Sequence, residues 1–545
     1  MLDRITNTFN KKVKAHSDHV ENAAGADQSP SSSSESSEKV ADNNNNPPEE
    51  SIEDYYYLDK PFYRYKFLNI LNWYIFLNTI SSTSSGYDGS LLNGLQIIER
   101  WRNKMGNPEG AVLGALSNGV VFGGLVSATV ASWACDKYGR KPAVIFGQAI
   151  SVLGSILQGV STNYTFFLMS RIIIGFGTGF TNVASPSMIA ELAHPKYRVT
   201  SQTMYNPLWY LGAMIAAWTT YGTHDIQSNY SWRIPSYIQG ALPLLQIVFF
   251  LIDMPESPRY LISKGKIEEA TKILKRIHTG NDESEQAKKF IDFEVREIQV
   301  ALEMEKLSNN AKYTDFFKLP TYRKRIFLVA FTAFFMQLSG NGLVSYYFNK
   351  VLETIGYTEP QEQLKINGGL MVYNLGICWV LVLFVPRFKR RTMFLSSAIW
   401  MLVCYVIWTI LSARFAIEGY ENRSLANAVL SFIFLYYLGY NAGCNLLPFL
   451  YVVEVLPYSH RAKGLNVFGA LLNTTLIFNG FVNPIAMDAI QWKYYIVYCC
   501  VLAVEAVVIY LFYVETSGYS LEEVAIAFGD DPKNIMPKVN KEEIV

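Results

Sequence analysis

Asp88 stands in the stretch FLNTISSTSSGYDGSLLNG (76–94), directly after a run of apolar and aromatic residues. An ionised Asp at the centre of a membrane-spanning helix costs about 2.5–3.5 kcal/mol on insertion scales. Taking up a proton relieves that cost, so a carboxyl placed there can bind a proton in one conformation and release it in another. The competing reading is a carboxylate at the membrane surface that caps a broken helix, and the Ser and Gly run leaves its depth open. Other chemistry finds little support. RIIIGFGTG (171–179) contains a GxGxG pattern, but it lies within an apolar run with no strand before it, which excludes a phosphate-binding loop. No Ser/His/Asp set or metal spacing occurs, and His194 and His460 sit in basic loops and read as surface residues. Cys135, Cys378, Cys404, Cys444, Cys499 and Cys500 lie in or beside apolar runs and read as small core residues. An enzyme is not expected, and neither is a cofactor beyond a coupling proton.

The elements that must position Asp88 are legible from hydropathy. Half of the 545 residues are apolar and 17% are charged, against roughly 25% in an average soluble domain. Apolar runs of span length recur, and about 20 helical residues cross a hydrocarbon core of roughly 30 Å. Spans are expected near 67–88, 111–134, 143–161, 165–187, 201–220 and 236–253, then near 326–349, 366–387, 393–412, 428–452, 464–485 and 493–514. The fold class is thus all-α integral membrane, with twelve helices in two halves, 67–253 and 326–514. Residues 254–325 form a charged linker whose KIEEATKILKRIHTG (266–280) places Ile267, Ala270, Ile273 and Leu274 on one helical face, as in a small helical bundle. Residues 1–66, with SSSSESSE and NNNN, cannot bury a core and are expected to be a disordered tail; 515–545 form a second tail.

Lys and Arg mark the cytoplasmic side. Lys60, Arg64 and Lys66 precede the first span, DKYGRK follows the second and RFKRRT the eighth, so both termini are expected in the cytoplasm. A net charge of +1 gives no reason to expect nucleic acid. The halves look related: PSMIAELAHPKYR (186–198) and PFLYVVEVLPYSHRAKG (448–464) both run Pro, Glu, Pro, Arg after the fourth span of their half. Parallel six-helix repeats are a transporter signature, with substrate between the repeats near mid-membrane.

At these residues the chain resembles the sugar porter family of the major facilitator superfamily. The resemblance covers residues 67–525 and rests on GYDGSLLNG, DKYGRK, RIIIGFGTG, PSMIAELAHPKYR, PESPRYL (255–261), QLSGNGLVSYY (337–347), LPFLYVVEVLPYSHRAKG (447–464) and VETSGYSLEE (514–523), in order on the right spans. MYNPLWYLGAMIAAWTTYGT (204–223) and SGNG (339–342) look closest to fungal lactose permeases and cellodextrin transporters. The resemblance implies proton coupling at Asp88 with Arg171 as its partner. It implies a cytoplasmic gate of Asp136, Arg140, Glu191, Arg198, Arg390, Glu454 and Arg461 that holds the halves together while the outside is open. Sugar hydroxyls need neutral donors and acceptors, which amides supply, and an apolar sugar face can lie on an aromatic ring. The implied sugar contacts are Asn206, Gln337, Asn341, Tyr346, Tyr347, Asn374, Phe449 and Asn473; bonding between helices is the other use for such amides.

Several positions depart from the family pattern. Pro386 and Lys389 replace an acid and a glycine in the second half, which weakens that gate or moves it to other partners. Met336 replaces the first of a glutamine pair, and GNG replaces GIN, shifting an amide to Asn341. One residue along a helix turns a side chain by about 100°, so the pocket should differ from a hexose porter's. The expectation is a plasma-membrane, multi-pass carrier acting as a monomer in the bilayer, which takes up a disaccharide of the lactose or cellobiose type with protons. A hexose carrier or facilitator is the alternative. A non-transporting sugar sensor is a further one, disfavoured by the short tail after the last span.

Overall fold

A computed structural model describes residues 62–308, 312–318, 320–384, 387–420, 422–457, 460–517, 524, 526, 528 and 529. Residues 1–61 of the tail expected to be disordered, and Pro386, lie outside the described residues, as does most of 515–545; Phe62–Arg64 form a short 3-10 turn and Lys66 opens the first helix. Twelve membrane elements follow one another. They are α1 (Lys66–Leu95), α2 (Gly110–Tyr138), α3 (Arg140–Val160), α4 (Tyr164–Leu192), α5 (Arg198–Thr203 and Leu208–Thr223) and α6 (Tyr230–Ile238 and Ala241–Ile252). The second half holds α7 (Pro320–Leu338 and Asn341–Thr354), α8 (Pro360–Phe384), α9 (Arg390–Ile417), α10 (Arg423–Tyr440 and Pro448–Val455), α11 (Arg461–Ile490) and α12 (Tyr494–Phe512). Nine stretches of the described residues are apolar and long enough to cross a membrane, one of them holding both α11 and α12; α1 and α5 complete the twelve.

The residue pattern is inverted relative to a water-soluble bundle. Large apolar side chains point outward, as at Leu251, Ile252, Leu383 and Val504. Polar ones turn inward and bond across helices. Ser81 of α1 meets Ser185 of α4 at 2.7 Å and Gln246 of α6 at 3.0 Å, and Gln246 also accepts from Gln148 of α3. With lipid outside, polar groups find partners only within the bundle.

α1 is longer than expected. It continues past Asp88 to Leu95, so Asp88 lies inside a continuous helix rather than at its end, and it is 3% exposed. The Ser and Gly run is helical because its small residues pack against α5, which overrides their weak helix propensity. Four elements are broken. In α7 the break falls at Gly340, whose φ of +98° suits glycine. Tyr436 donates to Ser339 O at 3.1 Å and Tyr405 to Gly340 O at 3.2 Å, satisfying the freed carbonyls. In α10 a π-turn, Asn441–Asn445, precedes Pro448.

The linker folds into helices Pro258–Ser263, Ile267–Leu274, Glu285–Ser308 and Asp315–Lys318, with a π-turn at Lys275–Thr279, and α7 begins at Pro320 rather than near 326. Ala270 and Leu274 are buried as expected, but Ile267 is 40% exposed. Two residues read as surface are corrected. His194 is buried, stacked on Phe290 of the linker with ring centroids 5.4 Å apart. His460 is buried near Asp315, at 3.5 Å, and against Phe316. The linker folds over both loops, a long-range contact that local charge does not reveal.

Spans α1 and α5 touch backbone to backbone: a Cβ on Gly212 would overlap the Thr83 carbonyl, and one on Gly86 the Trp209 carbonyl. Overpacking costs typically about 1–3 kcal/mol. Gly212→Val is therefore expected to lower the thermal unfolding midpoint of the detergent-solubilised protein; an unchanged midpoint would contradict this close approach.

Candidate functional site

Asp88 is met from two other spans. Arg171 of α4 places Nη1 at 3.5 Å from Asp88 Oδ1. Gln239, at the break in α6, donates from Nε2 to the same oxygen at 2.7 Å. Arg171 also donates from Nε to Leu116 O at 2.8 Å, which fixes the guanidinium. Gln239 in turn accepts from Gln158 at 3.1 Å. Both contacts land on Oδ1, and among the described residues Oδ2 accepts no hydrogen bond. The result is a neutral, buried ion pair with one free carboxylate oxygen. Removing the charge of either member leaves the other exposed to a low-dielectric interior, which is strongly unfavourable.

The amides form a second group deeper in the second half. Asn374 is fully buried, and its Oδ1 accepts from Asn441 at 2.9 Å. Asn441 Oδ1 accepts from Tyr210 of α5 at 2.9 Å and from Asn445 at 3.1 Å. Gln337 sits just before the α7 break, and its carbonyl accepts from Asn479 of α11 at 2.7 Å. The Asn374 Nδ2 and Gln337 Oε1 atoms are buried without a partner among the described residues. Such atoms are costly unless something polar meets them. Asn341 opens the second piece of α7 and accepts from Ser345 at 2.8 Å. Tyr347 is buried, donates to Gly480 O at 2.6 Å and has non-helical backbone angles (φ −136°, ψ 33°). The Tyr346 hydroxyl lies within electrostatic reach of Asp88 and Arg171.

Three expected contacts stand apart from this cluster. Asn206 lies half-buried in the turn that splits α5, with no side-chain bond among the described residues. Phe449 is 44% exposed and packs edge-on against Phe468. Asn473 is half-buried, and the α11 amide bonded to the α7 break is Asn479 instead. Sequence reasoning missed Gln239, Tyr210, Asn441 and Asn479. It also missed Glu505, which is buried in α12 with neither oxygen bonded among the described residues. Each is a polar residue within an apolar run, and that was the signal available.

The two halves are tied together at the end of the bundle away from the termini. Asn93 Oδ1 accepts the Phe348 N–H, next to the Tyr347 irregularity, at 3.1 Å, and Asn93 Nδ2 faces Asn367 Oδ1 at 3.4 Å. Gln96 donates to Tyr346 O at 3.0 Å, Asn118 to Ile477 O at 3.1 Å, and Gly110 N–H to Asp488 at 3.3 Å. At the terminal end the described ion pairs of the expected gate stay within their own halves. Arg140 pairs with Glu191 at 3.0 Å and with Asp136 at 3.5 Å; Arg390 pairs with Glu454 at 3.6 Å. Arg198 and Arg461 begin α5 and α11.

The same arrangement is built twice. Glu256 accepts the backbone N–H of Arg140 at 3.0 Å and of Lys141 at 3.2 Å; Glu515 accepts those of Arg390 at 2.8 Å and Arg391 at 3.2 Å. Ser257 donates to Glu191, and Thr516 donates to Glu454 at 2.5 Å. A carboxylate at a helix N-terminus meets unpaired N–H groups and the positive end of the helix dipole. Burial pushes the Glu256 carboxyl up, opposed by the N–H groups of Ser257, Lys141 and Arg140. The stretches PESPRYL and VETSG were visible in the sequence, but the role of their glutamates was not.

Comparison with known proteins places this geometry. Residues 74–528 match the family described as "Sugar (and other) transporter". The chain is 25% identical over 452 residues to the MFS-type transporter criB of Aspergillus cristatus, covering 83% of this chain and 92% of that protein. It is 29% identical over 424 residues to the low-affinity glucose transporter HXT4 of Saccharomyces cerevisiae, covering 76% and 71%. Among solved structures, the inward-open xylose transporter XylE from E. coli superposes with a TM-score of 0.67 at 20% identity, covering 84% of this chain and 99% of that one. That likeness is one of fold.

Asn93 joins α1 to both α7 and α8. Asn93→Ala should loosen the distal end and raise severalfold the reactivity of a cysteine placed at Asn374 toward an impermeant maleimide applied from that end. Equal reactivity with Asn93 intact and replaced would show that Asn93 does not hold the halves closed.

Proposed function

The chain belongs to the sugar (and other) transporter family, and on that premise we propose that it carries a sugar inward across the plasma membrane by alternating access, driven by a proton on Asp88. The observation that carries this reading is the buried contact of Asp88 with Arg171 and Gln239. A proton on the free Oδ2 neutralises the carboxyl and removes the counter-charge of Arg171, so α1 and α4 gain a reason to separate. α1 also bears Asn93 and Gln96, which hold the distal end shut. One rigid helix thus links proton binding to closure. The charged end that carries the linker is read as cytoplasmic, with both termini there.

In this conformation Arg140 and Arg390 pair within their own halves. In the opposite conformation Asp136, Arg140, Glu191, Arg198, Arg390, Glu454 and Arg461 would pair across the halves and close the cytoplasmic end. The two sets of contacts then compete, and ligands shift the population by their differential affinity. Sugar hydroxyls would take up the unpaired atoms of Asn374 and Gln337, with Asn206, Asn341, Asn441, Tyr346, Tyr347, Phe449 and Asn473 as further contacts. Sugar and proton must favour each other's binding, by coupling of typically about 1–3 kcal/mol.

A disaccharide of the lactose or cellobiose type is the preferred substrate, on the strength of residues 204–223 and the SGNG break at 339–342. A second reading, a hexose, is favoured by the relative named as a glucose transporter. Competition of unlabelled mono- and disaccharides against one labelled sugar in cells lacking other sugar carriers separates these: a disaccharide should compete best, and stronger competition by glucose would favour the hexose reading. No uptake of any sugar with intact surface expression would point to a sensor. Asp88→Asn should abolish accumulation against a gradient while leaving exchange or downhill flux; surviving uphill uptake would remove Asp88 from the coupling role.

A further inference from the structure

Three successive residues of the linker π-turn Lys275–Thr279 reach three different spans. Arg276 donates to both oxygens of Asp253 at the end of α6, at 2.9 and 3.0 Å, and to the Tyr74 hydroxyl of α1 at 3.0 Å. Ile277 is buried in the apolar core of the first half. His278 is fully buried, with Nε2 at 2.9 Å from the Leu192 carbonyl, the last residue of α4, and Nδ1 at 2.8 Å from Glu294 Oε2 on the linker helix Glu285–Ser308. Glu294 is itself 1% exposed.

The proton count at this junction is constrained. A backbone carbonyl only accepts, so Nε2 must carry a hydrogen. The bond to Glu294 then needs one more proton, either on Nδ1 or on the carboxyl. Both arrangements hold the same single dissociable proton. Without it, a buried carboxylate faces an imidazole lone pair, which is unfavourable. The other charged and titratable groups facing His278 do not supply it. His194, with its ring 5.2 Å away, accepts the Lys196 N–H on Nδ1; burial first, then the neighbouring His278, Lys196 and Arg198, push it down to about 2. Arg276 is bound by Asp253 and Tyr74, and Glu191 by Arg140 and Ser257.

We propose that the linker's hold on the end of α4 requires one proton shared between His278 and Glu294, so that alkalinity on the linker side releases the linker. Undocked in water above about pH 7, free imidazole is largely neutral and a free carboxyl largely ionised. Docking therefore takes up a proton, and rising pH weakens it, by up to about tenfold in the docking constant per pH unit. Release acts next to Glu191, so the proposal rests on the transport reading only for its consequence; docking itself is independent of it.

The test is a distance measurement on the full chain. Nitroxides are placed at exposed Lys289 of the linker and exposed Val199 of the first half, with exposed Cys500 replaced by Ser. Spin–spin distances are then compared between about pH 5.5 and about pH 8.5, a range spanning the titration of free imidazole. A longer or broader population should grow with pH in the otherwise native chain. Glu294→Gln can donate to a neutral Nδ1 without the shared proton, so its longer population should not grow as pH rises. Distances in the otherwise native chain that ignore pH, or the same pH response in Glu294→Gln, would overturn the proposal. If that variant does not fold, the pH series on the parent chain still decides. No outcome depends on sugar transport, so failure here is distinguishable from failure of the transport reading.

Discussion

A carboxylate and a guanidinium held together in a bundle whose outer surface is apolar set the terms for everything else in this molecule. Neither Asp88 nor Arg171 can lose its partner cheaply, because no water or polar lipid group replaces it within the hydrocarbon. At 3.5 Å their contact is long for an ion pair, and the closer bond to Asp88 comes from the neutral amide of Gln239. The carboxylate is thus held mainly by a group that tolerates either protonation state. That suits the proposed role, in which Asp88 changes charge during a transport cycle.

The remaining architecture distributes small polar contacts differently at the two ends of the bundle. The distal closure uses neutral amides against backbone groups, with Asn93 answering an amide beside the irregular Tyr347. The terminal end uses ion pairs and helix N-termini, built twice around Glu256 and Glu515. The duplication follows from two related halves, each of which begins its third span, α3 or α9, in the same electrostatic environment. The second copy is looser: the Arg390–Glu454 distance is 3.6 Å, against 3.0 Å for Arg140–Glu191.

Much of the fold was legible in the sequence because hydrocarbon imposes one length and one polarity on every crossing element. The two halves and the charged linker followed from the positions of those runs. The continuation of α1 beyond Asp88 was not legible, because Ser and Gly look like a break until α5 is packed against them. Nor was the burial of His194 and His460, since both become covered only when the linker folds back. At the site, Asp88 stood out as a charge among apolar residues, and Arg171 came only from the family resemblance. Gln239 and Asn441 gave the same kind of signal as Asn374, but side-chain direction on a helix inside a bundle depends on neighbours that sequence alone does not place. Phe449 shows the converse: its position matched an aromatic slot, yet it lies partly exposed against Phe468.

The most direct measurement is of proton movement when sugar moves alone. Proteoliposomes containing the purified chain, with no imposed pH gradient, are given an inward sugar gradient while external pH is recorded. Sugar entry through a site powered by Asp88 should make the external medium more alkaline, in proportion to uptake. Sugar entry with no pH change would contradict proton coupling and reduce the Asp88–Arg171 pair to a structural contact.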